Sequence, residues 1–136
     1  MGSSQVIVLD THAWIWWISN PEYLSEKAGE AVTRAMADNM IYLSSISAWE
    51  LAMLVKRGRL ELTMDVADWI AKSEGLPFLH FVPVSNGIAI KSVYLPGVFH
   101  GDPADRIITA TAISTGAVLV TKDEKMRKYS HVKTLW

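Results

Sequence analysis

Short apolar runs alternate with amphipathic stretches along this chain, and the alternation predicts its architecture. Residues 5–9 are almost wholly apolar and β-branched, the signature of a short buried strand. Thr11–Ser19 then reads as a helix carrying Trp14, Trp16 and Trp17, stopped by Asn20-Pro21. Ser25 is placed to cap a second helix, whose stripe of Ala28, Ala31, Val32, Ala35 and Met36 is one face of an amphipathic helix. Residues 41–43 form a second strand candidate. Ser47 is then expected to cap a helix with Ala48, Leu51, Ala52 and Val55 on one side, ended by Gly58.

A further helix is expected over residues 64–73, with Val66, Trp69 and Ile70 facing inward, and a third strand at Leu79–Val82 ahead of Pro83. Residues 85–94 are weakly helical and 96–101 form a loop. Pro103 suits the first position of a helix running to Thr115, and Gly116 suits its C-terminal stop. A strand at 117–120, a short helix at 123–128 and a last strand at 132–135 complete the pattern. Strands alternating with helices imply an α/β fold, a central parallel sheet covered on both faces and joined by right-handed crossovers. With 136 residues and no repeat or linker, the chain reads as one domain over 1–136, with Met1-Gly2-Ser3-Ser4 as a flexible leader.

Composition narrows the function. Half the residues are apolar and 20% charged, which fits a globular protein. A net charge of −1 argues against holding nucleic acid by bulk positive charge. Local clusters exist at Lys56-Arg57-Gly58-Arg59 and at Lys122, Lys125, Arg127 and Lys128, each ordinarily a solvated face, with contact to a polyanion as the alternative. The absence of cysteine excludes disulfides, thiolate metal sites and cysteine nucleophiles. The longest unbroken apolar run, 13–18, is too short to span a bilayer, and no secretory leader is evident, so a cytoplasmic protein without a membrane partner is expected. No P-loop, G-x-G-x-x-G or G-x-S-x-G stands after any strand.

The informative residues are acidic. Asp10 closes the first strand, Asp123 follows the fourth, Glu50 lies early in one helix and Asp105 opens another. Each has a separate structural explanation. Asp10 and Asp123 suit helix N-caps, Glu50 suits a capping box with Ser47, and Asp102 is the cap ahead of Pro103. Asp105 instead shares a helical face with Ile108, Thr109 and Ala112, so it leans over the sheet. Capping does not explain why all four acids recur at one edge of a parallel sheet, where open α/β folds place their ligands. Converging carboxylates repel unless a hard divalent cation neutralises them. His12 and His100 read as structural or surface residues, with lining the site as the alternative. The three tryptophans on one short helix are hard to bury together and are expected to present an apolar surface to a partner.

In order, Val8-Leu9-Asp10-Thr11-His12, Ser45-Ile46-Ser47-Ala48-Trp49-Glu50-Leu51, Asp102-Pro103-Ala104-Asp105-Arg106 and Leu119-Val120-Thr121-Lys122-Asp123 resemble the motifs of PIN-domain nucleases. Within these they are similar to the VapC-type toxins of toxin–antitoxin pairs, and the resemblance runs from about Val6 to Lys128. It implies a three-layer PIN-like fold with the acidic quartet on Asp10, Glu50, Asp105 and Asp123, and with Thr11 and Thr121 as hydroxyls beside it. It further implies Mg²⁺- or Mn²⁺-dependent cleavage of RNA, leaving a 5′-phosphate and a 3′-hydroxyl, with Asp10, Asp105 and Asp123 on the metal and Glu50 on a second cation or the water. A homodimer and a cognate protein antitoxin belong to the same implication. Arg106 reads as structural, with a phosphate contact as the alternative.

Three rivals stand beside this reading. A phosphohydrolase with a covalent aspartyl intermediate would pair Asp-x-Asp after the first strand, whereas this chain has Asp10-Thr11-His12. A non-catalytic PIN-like module would bind RNA or a protein without cutting. A PIN nuclease of RNA processing or repair would share the chemistry and lack the antitoxin.

Overall fold

The computed structural model describes residues 5–136, so the leader expected at 1–4 lies outside the described residues. Five strands form one sheet: β1 (Ile7–Leu9), β2 (Ile41–Ser44), β3 (Leu79–Val82), β4 (Val118–Val120) and β5 (Thr134–Leu135). Their order is β3-β2-β1-β4-β5, and every pairing is parallel. Helices α1 (Thr11–Ser19), α2 (Glu26–Ala37), α3 (Ile46–Lys56), α4 (Val66–Glu74), α5 (Asn86–Val93), α6 (Pro103–Thr115) and α7 (Glu124–Arg127) connect them. This is the expected α/β architecture of helices around a parallel sheet.

The period of two along each strand decides which side chain enters which core. Ile7 and Leu9 of β1, Ile41 and Leu43 of β2, Leu79 of β3 and Val120 of β4 belong to one cluster with Trp14, Val32, Leu51 and Trp69. Val8 of β1 and Leu119 of β4 face the other way, onto Ile108 and Ala112 of α6 and onto Met126. Both faces are covered, which is why these strands read as continuous apolar runs.

Several boundaries differ from the sequence reading. β1 begins at Ile7 rather than residue 5, because Gln5 is exposed. β4 begins at Val118, since the Ala117 N–H closes the exit of α6 on Ala112 O at 2.9 Å. β5 covers two residues of the four expected, pairing only as Leu119↔Thr134 and Val120↔Leu135. α4 starts at Val66 behind Asp65, whose carboxylate accepts the Ala67 N–H at 3.1 Å. Gly116 ends α6 at φ 65°, where any side chain would be strained.

The tryptophans of α1 do not form a common surface. Trp14 is fully buried, edge-on to Trp69 at 4.9 Å, with its indole N–H on Ser73 Oγ at 3.1 Å. Trp16 turns to Trp136 at 5.8 Å, and Trp17 to Phe78 at 5.9 Å. Three successive helical directions carry them into three environments. The exposed apolar stripe lies elsewhere, on Ile90, Val93 and Tyr94 at the end of α5. No helix among the described residues is long and apolar enough to cross a membrane.

Candidate active site

The strand order reverses at β1, which pairs with β2 on one side and β4 on the other. Loops leaving the carboxyl ends of β1 and β4 therefore diverge and open a crevice between them. Asp10 stands at the exit of β1 and Asp123 beyond the exit of β4. α3 and α6 bring Glu50 and Asp105 over the same edge. One cavity of about 570 Å³ is lined by Asp10, Glu50, Asp102, Asp105 and Asp123, with Thr11, His12, Trp16 and Lys122 completing its wall.

Each acid is held by a local device. Asp10 caps α1, its Oδ1 accepting the Ala13 N–H at 2.8 Å, while Oδ2 accepts the Thr121 hydroxyl. Thr121 in turn accepts the Asp123 N–H at 3.0 Å, so one buried hydroxyl ties the β1 acid to the β4 loop. Asp123 caps α7, accepting the N–H groups of Lys125 at 2.8 Å and Met126 at 3.2 Å. Capping and facing the cavity thus coexist in the same side chains.

Glu50 is not part of a capping box. The N-cap of α3 is Ser45, and the helix begins at Ile46, so Ser47 lies inside it and is buried. The Ser47 hydroxyl sits 2.9 Å from Thr11 Oγ1, and Thr11 Oγ1 also bonds Glu50 Oε1. A hydroxyl has one proton, and an ionised carboxylate only accepts, so Thr11 donates to Glu50 while Ser47 donates to Thr11. Ser44 Oγ takes the Ile46 N–H at 3.2 Å, which leaves Ser47 free to turn inward.

Asp105 lies in the first turn of α6, above the fully buried face of Ile108, Thr109 and Ala112. Its Oδ2 lies 2.7 Å from His100 Nε2. That contact was not expected of His100, and the loop carrying it is fixed by Arg106. The guanidinium donates to the carbonyls of Ser92, Phe99, His100 and Val93 at 2.8–3.2 Å. Arg106 is therefore a structural clamp. Asp102 caps α6 through the Asp105 N–H at 3.0 Å, as expected, but it also faces the cavity.

Burial pushes the Asp10 carboxyl above the usual carboxylate range, against the pull of Thr121, Ala13 and His12, and Asp105 adds to the rise. Burial also raises Glu50, opposed by Thr11 and reinforced by Asp105, Asp102 and Asp10. Asp105 is raised by burial too, opposed by His100 and reinforced by Asp102 and Asp123. Burial and neighbouring carboxylates thus make these three acids, Asp10, Glu50 and Asp105, harder to ionise. Oxygens of Glu50, Asp102 and Asp105 all lie within 4.8 Å of one another, and Asp10 and Asp123 line the same cavity outside that group. An all-oxygen donor set whose members repel one another fits a hard divalent cation.

The chain is similar to known proteins along nearly its whole length. The PIN domain model matches residues 7–132. Ribonuclease VapC22 of Mycobacterium tuberculosis is 36% identical over 132 residues, covering 96% of this chain and 98% of that protein. VapBC2 from Rickettsia felis, solved bound to a DNA fragment from its promoter, superposes with a TM-score of 0.71 at 18% identity, over 96% of this chain and 98% of that one. A toxin–antitoxin complex from Klebsiella pneumoniae gives a TM-score of 0.61 at 20% identity, over 96% and 95%. At those identities the two structures speak for the fold. The family-model match over residues 7–132, with 36% identity along 96% of the chain, makes this protein a member of the PIN-domain family.

Proposed function

We propose that this chain is a metal-dependent endoribonuclease and the toxin of a toxin–antitoxin pair. The observation that carries the reading is the single cavity lined by five carboxylates, three of them pushed toward their protonated forms by burial and by neighbouring carboxylates. Such a cluster is costly alone and is relieved by a bound cation. Similarity to a named ribonuclease along nearly the whole chain supports RNA as substrate.

Glu50, Asp102 and Asp105 would hold Mg²⁺ or Mn²⁺, with Asp10 and Asp123 completing the site directly or through water. A bound cation supplies Lewis acidity, easing deprotonation of the attacking water and stabilising charge on the scissile phosphate and the leaving 3′ oxygen. The chain's own residues set the stage for that chemistry. Thr11 and Thr121 fix the rotamers of Glu50 and Asp10 from behind, and His100 fixes Asp105. The products would be a 5′-phosphate and a 3′-hydroxyl. A homodimer and a cognate antitoxin belong to the reading, and the exposed stripe of Ile90, Val93 and Tyr94 supports a protein partner.

The test is cleavage of RNA by the purified chain with Mg²⁺ or Mn²⁺, with EDTA and Asp105→Asn as controls. Cutting that needs the metal and vanishes in the variant is expected. A folded, antitoxin-free chain that cuts no RNA would instead support a PIN-like module that binds without cutting.

A further inference from the structure

The carboxylate cavity does not end at the carboxylates. A second cavity, of about 290 Å³, shares Glu50 and Asp102 with the first and continues along α3 to Trp49, Met53, Arg57 and Arg59. On the opposite flank, the first cavity ends at Trp16, over whose ring Lys122 Nζ sits at 5.8 Å. The acidic centre therefore has an aromatic ring and basic groups on each side. From these placements we infer that the two cavities form one trough for single-stranded RNA, with nucleobases stacked on Trp16 and Trp49 and phosphates paired with Lys122, Arg57 and Arg59. This rests on the ribonuclease reading above and extends it to how the strand is held.

Trp49 is 57% exposed on α3, which leaves its indole ring open to solvent at the mouth of the second cavity. It leads a stripe, Trp49-Glu50-Met53-Leu54-Arg57, that runs two turns from the centre to the helix end. From Glu50 to Arg57 is about 10 Å along the axis, the length of about three nucleotides at a stacked rise of ~3.4 Å. The arginines are not on a loose tail. Arg57 caps α3, Gly58 turns at φ 70°, and the N–H groups of Gly58 and Arg59 close on Val55 O at 3.1 Å and Leu54 O at 2.9 Å. That double closure fixes the backbone on both sides of Gly58. Among the described residues no lysine or arginine is paired with a carboxylate, so Arg57, Arg59 and Lys122 have no carboxylate partner.

Aromatic platforms with flanking cations bind unpaired strands, because a duplex buries the base faces that would stack. A cation-loaded centre between them would take the scissile phosphate, and the flanks would draw in its neighbours. Net charge of −1 hides this local pattern.

The experiment measures binding of an unstructured RNA oligonucleotide, and of the same sequence as a duplex, by fluorescence anisotropy over a salt series. It uses the full chain carrying Asp105→Asn, with cleavage by the unmodified chain run in parallel. Adding Trp49→Ala should weaken single-strand binding by about 5- to 100-fold and erase its preference over duplex, while Trp49→Phe should largely restore both. Adding Arg57→Gln with Arg59→Gln should flatten the slope of log K against log salt by about 1.4, or ~0.7 for each phosphate left without its arginine. Both variants sit on the exposed surface, and an unchanged melting temperature separates binding from folding. Unchanged affinity and slope in a chain that cuts RNA would overturn the trough and leave the ribonuclease reading standing. No cutting by the unmodified chain would remove that reading first. Tighter binding of a glutamate-rich peptide than of RNA, abolished in the same variants, would assign the flank to a protein partner and overturn the inference.

Discussion

Thr121 donates its hydroxyl to Asp10 Oδ2 across 111 residues of sequence, and accepts the Asp123 N–H with the same oxygen. Both strand-end acids are thereby held by one fully buried side chain. Thr121→Val keeps the shape but leaves a buried carboxylate oxygen and a backbone N–H without this partner. The expected cost is about 1–3 kcal/mol of stability, read by denaturant unfolding. Cleavage should fall by about 10- to 100-fold, and Thr121→Ser should recover most of both losses.

Arg106 should matter for stability more than for chemistry. Its guanidinium satisfies two carbonyls at the end of α5 and two in the loop before α6, and no lysine can reproduce that fork. Arg106→Ala and Arg106→Lys should both lower stability, the former by about 2–4 kcal/mol. If thermal unfolding shows neither change, the clamp does not hold the loop.

The sheet and most helices were legible because their signals are local. Apolar runs at Ile7–Leu9 and Val118–Val120 and caps at Asp10, Ser25, Asp102 and Asp123 lie within a few residues of what they specify. The cap of α3, expected at Ser47 and found at Ser45, shows the limit. Ser44, Ser45 and Ser47 compete for one helix end, and the choice depends on Thr11, 36 residues away, drawing Ser47 inward. His100 was similarly opaque, since its place beside Asp105 depends on a loop shaped by Arg106. Asp102 looked like a cap and is one, yet its carboxylate also joins Glu50 and Asp105, a juxtaposition only the packing of α3 against α6 creates.

His100 predicts a pH effect of definite sign. Burial raises the Asp105 carboxyl, and the His100 bond pulls it back down. Removing that bond by His100→Ala should raise Asp105 further, and cation binding needs it ionised. The acid limb of kcat/KM should therefore move to higher pH, with activity at a fixed acidic pH falling about tenfold per unit of displacement. Activity should recover as the pH rises. Asp105→Asn, which cannot ionise, should recover at no pH, and a parallel loss at every pH in His100→Ala would refute this role.

The raised carboxyls also make the metal-free chain least stable where it is expected to act. An acid whose pKa is higher folded than unfolded holds its proton longer in the native state, so stability falls as pH rises from the ordinary carboxylate range toward the raised value. Above that, the full penalty persists. Asp10, Glu50 and Asp105 all shift in this direction. Without metal, Asp10→Asn should therefore raise the melting temperature at neutral pH, because its amide oxygen can still accept the Ala13 N–H and its amide N–H can donate to the Thr121 oxygen, while no buried charge remains. The gain should vanish at a pH where Asp10 is protonated in both states. Adding Mg²⁺ or Mn²⁺ at about 100 times its Kd should stabilise the unmodified chain by about 2.7 kcal/mol, and Asp10→Asn should blunt that response. Calorimetry with and without EDTA reads all three effects. Asp10→Asn lowering metal-free stability at neutral pH would mean that the carboxylate is favoured where it stands, and that mutual repulsion is not what a cation relieves.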